Sequence, residues 1–439
     1  MTRLDATGSA PAGPEAGVLS SQRWRRLIPI AFVTYSLAYL DRSNYSIGAA
    51  GGLEQDLHIN SAQSGFLAGL FFAGYFLFQI PAAQYAENKS VKRLVFWCLL
   101  LWGVFAAAQG VIPWLWLLML DRFALGVVEA AILPAMLIFL AHWFTSSERG
   151  RADSFLILGN PVTVMWLSVV SGYIISWTSW RWMFIIEGLP AIAWAFAFRA
   201  LTADRPADAT WLNESERKAV SDRIAAEQQH LPEVTSYWHA LKSRDVIVLS
   251  VQYLLWSLGV YGFVFWLPSI ISAASSNGIG RVGVLSAVPY ALAVILMVVN
   301  SRLSDRTGPT RRRLHVWPWL LLGAVTFYAS YQLGTKNFLP SFLLLLLAGG
   351  CLYAPYGPYF AAIPEFLPQN VAGVAMALIN SAGAVGGFLG TYLVGWLDGA
   401  TGGPGASFLV MGASLLLAGL LMFAVRGAPS AIRRTPARV

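Results

Sequence analysis

Four ionisable residues stand where an uncharged stretch would be expected. Asp41 and Arg42 are adjacent in YLDRSN, and Arg122 and Glu129 lie seven residues apart in LDRFALGVVEA. Each pair sits inside an apolar run long enough to cross a bilayer. A charge at the centre of such a span costs at least ~2.5–3.5 kcal/mol. Seven residues are two helical turns, so Arg122 and Glu129 share a helix face, and Gly126 on the same stripe leaves room between them. Two acids and two bases facing one low-dielectric interior can neutralise one another, and a purely structural ion-pair network is one reading of them. The other is transport chemistry. Burial and a neighbouring guanidinium act in opposite directions on a carboxyl group. An anion that engages Arg42 would then free Asp41 from its cation and favour its protonation. Arginine stays charged and offers a carboxylate a planar fork.

Further polar groups decorate the apolar runs. Tyr39 precedes Asp41 by two residues, and Tyr75 and Gln79 share a face. Asn160 precedes Pro161, and Gln252 begins another run. Tyr353, Tyr356 and Tyr359 surround a Pro/Gly break at 355–358, and Asn380 lies among Gly383, Gly386, Gly387 and Gly390. Their hydroxyl and amide groups suit the hydroxyls of a polyol.

The elements that must position these residues are membrane spans. The chain has 439 residues, 56% hydrophobic and 12% charged. Soluble domains average roughly 25% charged, so a soluble chain of this composition could not cover its surface. A span needs roughly 20 apolar residues. Runs of that kind fall near 27–50, 62–84, 92–112, 114–143, 153–177, 181–201, 246–272, 282–303, 314–333, 340–362, 371–397 and 406–426. The sequence thus predicts an all-α polytopic protein with two six-span halves, 25–201 and 246–426. A disordered tail is expected over 1–24, a cytoplasmic linker over 202–245 and a cytoplasmic tail over 427–439. Asn213 and Glu216 have capping-box spacing and predict a short surface helix in the linker, running to about Gln229.

The net charge of +8 does not indicate nucleic acid. Its Lys and Arg residues sit in short loops between spans, where they orient a membrane protein and place both termini in the cytoplasm. Cys98 and Cys351 lie in apolar runs without a CxxC, and no histidine has metal-ligand spacing. No phosphate loop and no nucleophilic triad can be placed. An enzyme is therefore not indicated, and no cofactor is called for beyond a proton gradient.

After the eighth run comes Asp305-Arg306-Thr307-Gly308 with Arg311–Arg313, and after the second Glu87-Asn88-Lys89-Ser90 with Lys92-Arg93. A carboxylate at a helix end can pair with the basic residues beside it and latch two helices. Asp305, Arg306, Gly308 and Glu87 are the candidates.

These stretches carry a resemblance. The DRTG loop resembles the loop signature of the major facilitator superfamily. YLDRSN, LDRFALGVVEA and SERGRA (147–152) resemble its anion:cation symporter family. FLILGNPVTV, WRWMFIIEGLPA, YGFVFWLPSI, YAPYGPYFAAIPEFLP and ALINSAGAVGGFLGTYLVGWL look closer still to 2-ketogluconate transporters. The resemblance implies a twelve-span monomer in the bacterial inner membrane, importing a sugar acid with protons by alternating access. It implies that Asp41 and Glu129 handle protons, that Arg122 couples them, and that Arg42 binds the substrate carboxylate with Tyr39 and Tyr75. Asn160 stands where relatives can carry Gln. Gln252, Tyr356 and Asn380 are candidates from the second half. The expected partners are a small organic anion, protons and lipid, with no nucleic acid. Symport of another organic anion (tartrate, a hexuronate, an aromatic acid) and export by the same fold remain alternatives.

Overall fold

The computed structural model describes residues 21–229, 244–274, 278–307, 309–334, 337–366 and 369–425. Gly308, residues 230–243 and both outer tails fall outside them. Every regular element among the described residues is helical. The first half comprises α1 (Gln22–Gly48), the short α2 (Glu54–Asp56), α3 (Ser61–Asn88), α4 (Val91–Ala108), α5 (Leu115–Glu129), α6 (Ile132–Trp143), α7 (Ser146–Trp177) and α8 (Trp180–Leu201). The linker helix α9 spans Glu214–Gln229. The second half comprises α10 (Arg244–Ala274), α11 (Ile279–Thr307), α12 (Trp317–Leu333), α13 (Phe338–Tyr353), α14 (Tyr356–Phe366), α15 (Gln369–Thr401) and α16 (Gly405–Leu421).

Joining α5 to α6 and α13 to α14 gives twelve spans, six in each half. Among the described residues, nine segments are long and apolar enough to cross a membrane by composition alone. The other three spans have simple reasons to fall short. α1 carries Arg23, Arg25, Arg26, Asp41 and Arg42, and α12 and α16 have 17 residues each. The burial pattern is that of a protein solvated by lipid. Leu77, Trp116 and Val325 are 55%, 65% and 63% exposed, while Asp41, Arg122, Glu129 and Gln252 are buried. Trp102, Trp143, Trp180 and Trp256 pack inside, whereas Trp114, Trp116 and Trp177 are exposed at helix ends.

The two broken spans occupy equivalent places, the fourth of each half, and have one cause. A proline cannot donate to the carbonyl four residues earlier, and its ring crowds that carbonyl. Pro134 faces Ala130 in this way, and Pro358 faces Ala354. The helices are interrupted at those two alanines. The first interruption follows directly on Glu129. α1 ends differently: a π-helical turn over Ala49–Leu53 contains Gly52 at φ +116, a conformation only glycine adopts without strain.

α1 starts at Gln22, so residues 22–24 are helical rather than part of a disordered tail. Arg23 is buried, with Nη2 2.9 Å from Glu148 Oε1 and Nη1 donating to the Trp143 carbonyl at 2.5 Å. The linker helix forms where the capping box predicts. Glu216 N donates to Asn213 Oδ1 at 2.8 Å, and Asn213 N donates to Glu216 Oε2 at 3.1 Å. Before it, Asp204 accepts from Ser90 Oγ (2.5 Å) and Lys92 N (2.7 Å). A carboxylate from the linker thereby sits at the N-terminus of α4, where the helix dipole favours it.

The halves meet chiefly through α3 against α15 and α7 against α11, with α1 touching α10. Tyr45 stacks on Phe265, Tyr39 Oη donates to Tyr261 Oη at 3.3 Å, and Ser381 Oγ donates to Gln79 Oε1 at 2.9 Å.

Within the first half, α5 lies so close to α3 that a Cβ on Gly126 would collide with the carbonyl oxygen of Phe71. The glycine therefore makes room for the α3 backbone, not for side chains between Arg122 and Glu129. Gly126→Val should destabilise the protein by about 1–3 kcal/mol through overpacking, visible as a lowered thermal unfolding midpoint. An unchanged midpoint would mean that the two helices are not in close contact.

Candidate functional site

The four charged residues do come together, carried by α1 and α5. Their pairing differs from the expectation. Arg42 Nε donates to Glu129 Oε1 at 2.5 Å, with the two side chains 7% and 0% exposed. Asp41 has no guanidinium on its carboxylate. Asn44 Nδ2 donates to its Oδ1 at 3.0 Å, and the Trp102 indole N–H donates to its Oδ2. Arg122 reaches only the backbone carbonyl of Asp41, at 3.4 Å, and Gln109 Oε1, at 3.5 Å. The reason is helical geometry. Consecutive side chains project about 100° apart, so Asp41 and Arg42 cannot turn to the same partner. Arg42 meets α5, and Asp41 meets α4. It is therefore Glu129, and not Asp41, that an anion on Arg42 would release.

Aromatic rings hold both guanidinium groups. Arg42 lies 4.5 Å from the Tyr75 ring centroid, 5.2 Å from Tyr39 and 5.5 Å from Phe71. Arg122 lies 4.7 Å from Tyr45 and 5.6 Å from Phe71. Such faces attract a cation without neutralising it. Arg42 is thus steered while retaining donors for a second acceptor. Glu129 Oε2 and Tyr75 Oη are buried without a hydrogen-bond partner.

A narrow cleft, with room for about one water molecule, lies beside this pair, lined by Arg42, Phe72, Tyr75, Tyr253, Ser257, Tyr261, Asn380, Gly383 and Ala384. It draws on α1, α3, α10 and α15, and so lies between the halves. It is far smaller than the ~300–1,000 Å³ usual for ligand pockets, so these walls must part before an organic anion can enter. Arg42, Tyr75 and Asn380 were expected here, and Tyr39 reaches its edge through the bond to Tyr261. Tyr356 lies behind the wall, its ring 4.5 Å from Trp256 and 6.4 Å from Tyr253. Asn160 and Gln252 are buried away from the lining. Asn160 Oδ1 and both amide atoms of Gln252 lack hydrogen-bond partners. Tyr253, Ser257 and Tyr261 were missed, although their spacing of four marks one helix face. Also missed were Trp102, Asn44 and Glu187. Asn44 Nδ2 donates to Glu187 Oε2 at 3.1 Å, and Ser171 Oγ donates to Glu187 Oε1 at 2.6 Å.

The loop candidates behave locally. Arg312 Nη1 donates to Asp305 Oδ1 at 2.9 Å, with Asp305 70% exposed, and Arg306 is exposed. An exposed pair of this kind is worth about 0–1 kcal/mol. The firmer tie between helices is Asn300, whose Nδ2 donates to the carbonyls of His315 (2.9 Å) and Ala354 (2.8 Å). Glu87 lies near the end of α3.

Residues 31–391 match the family model of the Major Facilitator Superfamily. The chain belongs to that superfamily of multi-pass membrane transporters. It is 30% identical over 415 residues to a putative tartrate transporter of Agrobacterium vitis, covering 93% of this chain and 91% of that one. It is 28% identical to a quinolone resistance transporter of Acinetobacter baumannii, covering 91% and 93%. Its fold matches a bacterial homologue of the human lysosomal transporter Spinster, in an inward-facing, occupied conformation, with TM-score 0.73. That match is 16% identical and covers 92% of this chain and 97% of the other.

Removing one partner of a buried ion pair strands the other at about 3–5 kcal/mol. Glu129→Gln and Arg42→Gln should each lower the unfolding midpoint, and the double variant should lose clearly less than the sum of the two. Strictly additive losses would show that the two side chains do not interact.

Proposed function

We propose that this protein imports a sugar acid bearing one carboxylate, 2-ketogluconate or a related hexonate, together with protons. The observation that carries the proposal is the Arg42–Glu129 pair at the edge of the cavity between the halves. A substrate carboxylate competes with Glu129 for Arg42. Once Arg42 turns to the substrate, Glu129 is left buried without its counter-ion and takes a proton. The loaded site then holds no excess charge, and the halves can rock to the other side of the membrane. Asp41 is the second proton-handling group, and Arg122 connects it to the α5 side. Ser257, Asn380 and the tyrosine hydroxyls are donors and acceptors for the substrate hydroxyls. A neutral hexose would leave Arg42 on Glu129, and citrate would bring further charges for which the lining supplies no second cation.

The similarity to a putative tartrate transporter supports a polyhydroxy organic anion as the substrate class. The choice of 2-ketogluconate rests on the resemblance in YAPYGPYFAAIPEFLP and its companion stretches. The positive loops support an orientation with both termini in the cytoplasm of a bacterial inner membrane, and the proton gradient is the energy source of a monomer. A second reading has its own support. Phe72, Tyr75, Tyr253 and Tyr261 wall the cavity with rings, which suits a flat aromatic monocarboxylate.

Proteoliposomes with an inward proton gradient separate these readings. Labelled 2-ketogluconate should accumulate, and unlabelled hexonates should compete while a neutral hexose does not. If an aromatic acid or citrate enters and hexonates neither enter nor compete, the sugar-acid assignment fails. Asp41→Asn and Glu129→Gln should each abolish accumulation against a gradient, with a loss of at least about tenfold. Undiminished accumulation in both would make the two carboxylates structural.

A further inference from the structure

Glu187 lies on α8 in WRWMFIIEGLPA, is 5% exposed, and takes no part in the Arg42–Glu129 pair. Its hydrogen-bond partners, Ser171 Oγ on one oxygen and Asn44 Nδ2 on the other, are both neutral. Among the described residues, no cation lies within ion-pair distance of it. The same Asn44 nitrogen donates to Asp41 Oδ1. One amide group thus bridges two buried carboxyl groups, neither held by a guanidinium. Asn44 Oδ1 is itself buried and has no partner. The charged groups nearby are few. From α1, Asp41 is the titratable group that faces Glu187. α7 presents Ser171, and α4 presents Trp102, whose indole serves Asp41. Arg122 of α5 reaches the Asp41 carbonyl, and Arg42 is engaged by Glu129. Asp41 lies within electrostatic range of Glu187, Glu129 and Arg122.

We infer that Glu187 is a third proton-handling carboxyl of the transport cycle, coupled to Asp41 through the side-chain amide of Asn44. The inference rests on the proton-coupled reading above. A carboxyl group whose partners are neutral gains or loses a proton without breaking an ion pair. With both acids ionised, the two N–H bonds of the amide serve one carboxylate each. With one acid protonated, the amide keeps an N–H on the acid that stays ionised, and with both protonated a half-turn brings its unpartnered oxygen, with two lone pairs, to the two O–H groups. The proton enters from water on one side of the membrane and leaves to water on the other, and only O–H bonds are made and broken. Two acids linked in this way titrate as a pair, with two macroscopic steps. Glu187 is a positioning residue for the proton on Asp41 and does not touch the substrate.

Glu187→Gln is close to isosteric and keeps hydrogen bonds to Ser171 and Asn44, so it removes the titration without removing the packing. Two measurements on the full-length protein in liposomes test the inference. Infrared difference spectra after a pH jump, recorded without substrate, should lose one protonated-carboxyl band in Glu187→Gln and regain one in Glu187→Asp. The pH profile of driven uptake should move by on the order of one unit. Spectra and profile identical to wild type would overturn the inference. If Glu187→Gln fails to fold by size exclusion, Ser171→Ala, which deletes one hydrogen bond to Glu187, should displace the same band, and an unmoved band overturns it. The infrared readout needs no substrate, so a wrong sugar acid leaves it standing, and a silent Glu187 leaves the transport reading standing.

Discussion

A guanidinium and a carboxylate inside a lipid-solvated bundle must find each other or be abandoned. The Arg42–Glu129 contact meets that constraint, and much of the first half is arranged around it. α1 supplies the cation and α5 the anion. α3 fills the space beside them with Phe71 and Tyr75, whose faces lie over Arg42. For α3 to come this close, α5 has no side chain at Gly126. The span then breaks immediately after Glu129, where Pro134 withdraws a donor from Ala130. The carboxylate therefore sits at the end of a helix whose next turn begins afresh with α6. The same proline device interrupts the equivalent span of the second half at Ala354, where Asn300 takes up the freed carbonyl.

The pair and the cavity share a wall, and this connects packing to function. Arg42 is the residue common to both. Its aromatic neighbours hold it without neutralising it, which in the proposed cycle lets a substrate carboxylate take the place of Glu129. Asp41 is treated differently. Its partners, Trp102 and Asn44, are neutral, and the amide that binds it also binds Glu187. Two adjacent residues on one helix thus belong to two electrostatic groups. One contains an ion pair, and in the other the carboxylates are bound by neutral donors, with Arg122 reaching only the backbone carbonyl of Asp41.

Much of this was legible in the sequence because lipid makes charges conspicuous. Apolar runs gave the twelve spans, and the cost of a charge within them singled out Asp41, Arg42, Arg122 and Glu129. By the same logic Glu187 stands out, an acid within the apolar run WRWMFIIEGLPA. The pairing was not legible. Adjacency in the chain suggested that Arg42 neutralises Asp41, and the 100° turn between consecutive residues forbids it. Arg23 looked like part of a tail because charge preceding a span usually lies in water, yet Glu148 and the Trp143 carbonyl hold it inside. Asn160, Gln252 and Tyr356 are conspicuous in the sequence as polar or aromatic residues within spans. Lining a cavity depends on the rotation of each helix, which Tyr253, Ser257 and Tyr261 satisfy and those three do not.

In the proposed cycle, substrate replaces Glu129 on Arg42 and a proton takes the place of the lost cation. Calorimetric titration of the purified protein, with the acid that proves to be transported, in two buffers of different ionisation enthalpy counts the protons that accompany binding. Uptake of about one proton per substrate near neutral pH in wild type, and none in Glu129→Gln, is the predicted result. Binding of the same acid to the wild type with no net proton uptake would mean that Glu129 is not released to a proton when substrate binds.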